Sequence, residues 1–214
     1  MAKQESILHK SFGHGWWYHY RVHEPKMIAL CSDGLASLKK YLYDVRENCP
    51  DEYFLKGPRG SGLRMNFDLN IKQVDGHEVS ALAARGLELD KFKTAHSNVQ
   101  MFMLQTDDKT ISMEVPLWML ESELTGFEEL FCSKDALTGH IDALRIEDGK
   151  IWIWDYKPKA HKEKFASTQV LLYALMLSRR SGIPIEEFRC GYFDENTSFI
   201  FKPIGPESLK SKLI

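Results

Sequence analysis

Apolar residues recur at helical spacing in some stretches of the chain and as alternations or short solid runs in others. Leu35, Leu38, Leu42 and Val45 fall three or four residues apart, and Ser32 or Asp33 can cap the turn ahead of them. This spacing predicts a helix over 32–48. Cys49-Pro50 interrupts it, and a short second segment follows over 51–56. A further helix is predicted over 78–95, with Leu82, Leu89 and Phe92 on its apolar side and Arg85-Gly86 in its middle. Glycine inside a helix costs about 1 kcal/mol relative to alanine, so close packing is expected there. The runs 99–105 and 110–115 read as strands joined by Asp107-Asp108-Lys109. Ser112 and Glu114 share a face of the second, and Pro116 ends it. The stretch 117–138 has no clean period. A helix over 163–181 stops at Gly182 and Pro184, with Gln169 and Tyr173 one turn apart on one face. Strands at 188–194 and 198–203 form a hairpin around Glu195-Asn196. The order helix, strands, helix, strands is an α/β pattern.

The most informative stretch is 139–157, GHIDALRIEDGKIWIWDYK. Asp148-Gly149 is a two-residue hairpin signal that requires positive φ at both positions. Strands over 141–146 and 151–156 flank it, and counting out from the turn sets the register. Glu147 faces Lys150, Ile146 faces Ile151, Leu144 faces Ile153, and Asp142 faces Asp155. Lys157 shares the Asp155 face. Directly opposed carboxylates about 5 Å apart repel, and a divalent cation between them reverses the sign of that interaction. Mg²⁺ is commonly held by one or two such carboxylates together with water and substrate phosphate. Asp142 and Asp155 are therefore candidate metal ligands.

Composition narrows the class. The 214 residues are 43% hydrophobic and 12% aromatic, as expected of a globular protein with a sizeable core. A net charge of −2 supplies no global field for nucleic acid, so binding needs a local basic patch. Two candidates exist. One is the run 158–164 with Lys159, Lys162 and Lys164; the other is the loop GPRGSGL at 57–63, with Arg59 inside it and Arg64 just beyond. That loop is no P-loop, because no G-K-S/T follows. The first 26 residues are rich in His, Trp and Tyr and read as an arm packed on the body, with a metal site or a surface on which bases stack as the alternatives. Cys31, Cys49, Cys132 and Cys190 form no C-x-x-C pair. No secretory signal and no apolar run of the ~18 residues a membrane span needs is visible. The expectation is a cytoplasmic protein with no membrane partner.

Together, G-x-I-D at Gly139–Asp142, D-x-K at Asp155–Lys157 and Q-x-x-x-Y at Gln169–Tyr173 resemble the PD-(D/E)xK nuclease superfamily, in particular its RecB-like exonuclease branch, which includes CRISPR-associated members. The resemblance covers about 78–203. It implies a restriction-endonuclease-like α/β core, a central mixed sheet flanked by helices, over 78–214. Residues 1–77 would be a helical, aromatic-rich extension packed on it. It further implies metal-dependent phosphodiester hydrolysis on DNA, by an exonuclease that can also cut internally. Asp142, Asp155 and the Tyr156 carbonyl would bind Mg²⁺ or Mn²⁺. Lys157 would orient or deprotonate the nucleophile, and Gln169 and Tyr173 would support the site. Members often carry His or Glu four residues beyond the helical glycine as a further ligand. Here that position is Asp90, and Glu88 and Glu114 are the alternatives. Some members bind an iron–sulfur cluster through a cysteine equivalent to Cys49 and three later ones. Only Cys190 follows the motifs, so no cluster is expected. Implied partners are DNA and either further copies of the chain or recombination or CRISPR proteins. A non-catalytic binding subunit and a small-phosphoester hydrolase are the rival readings.

Overall fold

A computed structural model describes residues 6–32 and 34–213. In chain order its elements are β1 (Ile7–Gly13), β2 (Trp17–His23), α1 (Glu24–Leu30), α2 (Ala36–Asn48), β3 (Lys72–Asp75), α3 (Glu78–Glu88), α4 (Ala95–Thr106), β4 (Thr110–Met113), β5 (Val115–Met119), α5 (Phe127–Phe131), β6 (Leu137–Ile141), β7 (Ala143–Glu147), β8 (Lys150–Tyr156), α6 (Ala166–Ser181), β9 (Phe188–Phe193), β10 (Thr197–Phe201) and α7 (Leu209–Lys212). Eight strands form one mixed sheet in the order β1-β2-β4-β7-β8-β9-β10-β3, and β5 and β6 form a separate pair. Only β8 and β9 run parallel among the paired strands, joined by the α6 crossover.

The β7–β8 hairpin has the register counted from its turn. Asp148 and Gly149 take φ 50° and 69°, and Glu147, Ile146 and Leu144 face Lys150, Ile151 and Ile153. β8 is covered on both faces. Ile151 and Ile153 pack into the core beneath α6, whereas Trp154 and Tyr156 pack with Val79, Ala83, Val99 and Met103 of α3 and α4. A strand buried on both sides reads as a nearly continuous apolar run, as IWIWDY does. Gly191, beside Trp154 in the parallel register, leaves room for that indole: a Cβ there would lie 2.6 Å from its Cε3.

Several sequence expectations are corrected. The run 99–105 is not a strand but most of α4. Asn98 through Leu104 are all buried, so the helix shows no polar face to reveal its period. The helix expected over 78–95 ends at Glu88. Gly86 does mark close packing, since a Cβ there would lie 2.9 Å from the Val99 Cα on α4. Pro116 does not end a strand; it lies inside β5, opposite His140. The cap of α2 is Leu35 without a side-chain bond, and Asp33 lies outside the described residues. The segment before residue 78 is not simply helical. It supplies β1, β2 and β3, which occupy both edges of the large sheet.

Under the sheet, Arg145 is fully buried on β7. Its Nε donates to Asp107 Oδ2 at 2.9 Å, and Nη2 to Glu78 Oε2 at 2.7 Å. This ties β7 to the start of α3 and the end of α4. Lys26 reaches the same corner, donating to the carbonyls of Leu104 and Asp107 at 2.6 Å each.

Candidate metal centre

The site is built on two chain corners. β4 passes into β5 through Glu114, and β6 passes into β7 through Asp142. β4 pairs with β7 and β5 with β6, so one antiparallel ribbon leaves the large sheet and continues as the small one. Ser112 faces Leu144 on one side of the bend, and Val115 faces Ile141 on the other. Glu114 and Asp142 therefore stand across from each other. Glu114 adopts φ 52°, a left-handed value uncommon outside glycine.

Asp155 enters from β8 on the face that also carries Ile153, toward α6. Gln169 Nε2 donates to its Oδ1 at 2.7 Å and lies 3.2 Å from the Tyr173 hydroxyl. The Tyr173 ring lies against two glycines. A Cβ at Gly139 would lie 2.7 Å from its Cζ, and one at Gly60 would lie 2.8 Å from its Cε1. The glycine of G-x-I-D thus makes room for the tyrosine of Q-x-x-x-Y. Lys157 Nζ lies 2.8 Å from Asp155 Oδ2, a close ion pair with a buried carboxylate oxygen that has no other partner. The Tyr156 N–H donates to Asp142 Oδ2 at 3.0 Å.

His96 is the residue that sequence reasoning missed. It sits in the first turn of α4, which Thr94 caps by accepting from the Ser97 N–H at 3.1 Å. Its Nε2 lies 2.6 Å from Asp142 Oδ2. The Thr94-x-x-Ser97 pattern could have announced a helix start here; the reading of 78–95 as one helix hid it. Asp90, expected as a helical ligand, is instead an exposed loop residue with φ 41°, and neither it nor Glu88 lines the site cavity. Of the three acids weighed for that place, only Glu114 is in the site, and Gln100 Nε2 donates to its Oε1 at 2.7 Å.

The electrostatics are those of acids crowded out of water. Burial, then the charge of Asp142, pushes the Glu114 carboxyl up to about 8 and that of Asp155 up to about 7. Burial would also raise Asp142, but the His96 ring, Lys157 and the Tyr156 N–H outweigh it and hold Asp142 low. Asp142 in turn raises His96 to about 9 against the cost of burial. Lys157 is partly desolvated, yet Asp155 and Asp142 raise its pKa. Three carboxylates and an imidazole line one cavity, and Asp155 Oδ2 is met only by Lys157. A hard divalent cation suits this mostly oxygen donor set.

These groups line a cavity of about 640 Å³ that opens toward the tip of the β1–β2 hairpin. A smaller hollow of about 300 Å³ adjoins it, sharing Lys157 and Gln169 and bringing together Arg64, Lys162 and Lys164. Lys159 lines neither and takes φ 66° at the entry to the 160–162 turn. The Ala160 N–H in that turn is fixed by buried Asp194 at 2.8 Å. Arg59 lines the larger cavity, but its guanidinium is engaged by the Tyr18 hydroxyl and the carbonyls of His14 and Phe54. A second cluster of potential ligands, His14, Cys49 and Asp51, lies behind His140, to which His14 Nδ1 is bonded at 2.9 Å. Cys190, the other cysteine weighed for a cluster, is buried in the core near the Val170 carbonyl.

A family model described as the PD-(D/E)XK nuclease superfamily matches residues 71–210. No curated protein and no solved structure matches the chain significantly. The matched span contains every acid of the site, together with His96, Lys157, Gln169 and Tyr173, and excludes the β1–β2 hairpin. No helix among the described residues is long and apolar enough to cross a membrane.

Proposed function

Because the chain belongs to the PD-(D/E)XK nuclease superfamily, we propose that it is a Mg²⁺- or Mn²⁺-dependent deoxyribonuclease, chiefly an exonuclease, with endonuclease activity as a secondary property. The observation that carries this reading is the set of Glu114, Asp142, Asp155 and His96 lining one cavity, with Lys157 ion-paired to Asp155 beside them. Asp142, Asp155, Glu114, His96 and the Tyr156 carbonyl would hold the cation. Once bound, it would lower the pKa of water and offset charge on the scissile phosphate. Lys157, kept protonated by its acidic neighbours, orients the attacking oxygen and stabilises the charge that develops on the phosphate. Gln169 fixes the Asp155 carboxylate, and Tyr173 stands behind Gln169. Arg64, Lys162 and Lys164 would meet the phosphate backbone in contacts that are salt-dependent and blind to sequence.

The test is digestion of end-labelled linear and circular DNA, single-stranded and duplex, with Mg²⁺, Mn²⁺ or EDTA. Asp155→Ala is run alongside. The expected result is metal-dependent degradation of linear substrates that the variant loses, with circles degraded more slowly. A folded, Mn²⁺-binding protein that degrades none of these substrates would overturn the reading.

A further inference from the structure

The β1–β2 hairpin ends in two tryptophans that the nuclease chemistry does not require. Trp16 is 77% and Trp17 67% exposed, the two highest exposures among the large apolar side chains of the described residues. Both line the cavity that holds Asp142, Asp155 and Lys157. Exposed apolar surface is ordinary when scattered, but two adjacent indoles at the mouth of a site suggest a ligand.

The tip that carries them is held firmly. Tyr18 stacks on His140 with ring centres 3.7 Å apart, and buried His14 stacks on Phe54 at 3.8 Å. Arg59 bonds both the Tyr18 hydroxyl, at 2.8 Å, and the His14 carbonyl. Gly15 supplies the positive φ of 75° that closes the turn. The residues on either side of the indoles are thus packed inward while the indoles face water. Lys93 and Arg21 stand in the same cavity wall. Flat aromatic faces beside cations, next to a site for a phosphodiester, match a single nucleic-acid strand.

We propose that Trp16 and Trp17 are a base-stacking platform that takes unpaired bases of a single strand and so selects single strands, or frayed ends, for the adjacent site. The substrate part of this inference rests on the nuclease reading; the binding part does not. Bases inside a closed duplex present no free face to an indole, so the platform discriminates against them. An indole stack is tolerant of base identity, because every base has a π-face.

The experiment measures binding in EDTA, where metal-dependent turnover is blocked. The probes are a fluorescent strand of about 12 thymidines, within the usual site sizes of such grooves, an abasic strand of equal length, and a duplex capped at both ends. The proteins are wild type, Trp16→Ala/Trp17→Ala and Trp16→Phe/Trp17→Phe, each checked for native circular dichroism and melting. Wild type is expected to prefer the thymidine strand to the other two, with quenched indole fluorescence. The alanine pair is expected to lose at least roughly fivefold in thymidine-strand affinity per indole removed. Its abasic-strand affinity should be unchanged, and the phenylalanine pair should recover most of the loss. Equal loss on the thymidine and abasic strands would overturn the proposal, as would no loss on either. So would indoles that serve only a concentration-dependent dimer in sedimentation. A protein that stacks bases but cleaves nothing would refute the nuclease reading alone.

Discussion

Gly139→Ala adds one methyl group where Tyr173 leaves no room. The new Cβ would lie 2.7 Å from the ring Cζ and 2.9 Å from the hydroxyl oxygen. Ordinary carbon contacts begin near 3.4 Å and the ring Cε1 would be closer still, so the ring must move by roughly 1 Å. Retreat is obstructed, because Tyr173 is buried and Gly60 touches the same ring edge. Overpacking of this kind costs about 1–3 kcal/mol. In a domain of this size each kcal/mol lowers Tm by roughly 2–4 °C. The displacement also reaches the chemistry. It pulls the tyrosine hydroxyl from Gln169, 3.2 Å away, and loosens the 2.7 Å bond by which Gln169 fixes Asp155. The variant should therefore melt several degrees lower and cleave more slowly at equal Mn²⁺ saturation. Adding Tyr173→Leu should restore much of the stability, since the ring is gone, without restoring the rate. Thermal melts and single-turnover cleavage on the wild type, the single variant and the double variant measure both effects. A Gly139→Ala protein with wild-type melting and rate would refute the argument that this glycine exists for the tyrosine.

Three further outcomes are expected. His96→Ala should weaken Mn²⁺ binding in calorimetric titration while Asp90→Ala leaves it unchanged; the reverse order would return the helical-ligand role to Asp90. Asp107→Ala leaves Arg145 buried and short of its main partner, so it should destabilise by about 3–5 kcal/mol in urea denaturation; a loss below 1 kcal/mol would mean that Glu78 and Glu147 suffice. In EDTA, stability should fall as pH rises from 7 to 8.5, above the range in which His14, His77 and His140, held low by burial, add stability as pH rises. Glu114 and Asp155 have raised folded pKa values of about 8 and 7, so the unfolded chain releases their protons first. His96, raised to about 9, likewise gives stability that is present below its unfolded value and lost as pH climbs. Added Mn²⁺ should then raise Tm more at pH 8.5 than at 7, and an EDTA melt that is higher at 8.5 than at 7 would contradict these assignments.

The β7–β8 hairpin was legible because a two-residue turn leaves one register, and the pairs from Glu147–Lys150 out to Ala143–Trp154 follow by counting. The Gln169–Tyr173 face of α6 was legible because Gly182 and Pro184 mark where that helix stops; its start after Phe165 has no side-chain cap, and the expected start at 163 was three residues early. α4 was not, because a helix buried on every side has no amphipathic period to read. His96 was lost with it: its partner Asp142 is remote in sequence, and no local spacing links an imidazole to an acid that only the tertiary fold brings near. Strand β2 carries a readable signal, since Tyr18, Tyr20 and Val22 alternate with His19, Arg21 and His23 and the burial follows that period; the reading of 1–26 as an arm hid it.

The bent ribbon carries a mechanical consequence. Glu114 and Asp142 are mounted on backbone at the fold line of one strand pair, so the gap between two of the three acids is set by how sharply that ribbon creases, more than by side-chain rotation. Thr138 and His140 of β6 carry the contacts to Arg59 and Tyr18, so the small-sheet arm of the ribbon is braced by the 57–63 loop and by the hairpin. A load at the hairpin tip would therefore reach the acids through one piece of bent sheet.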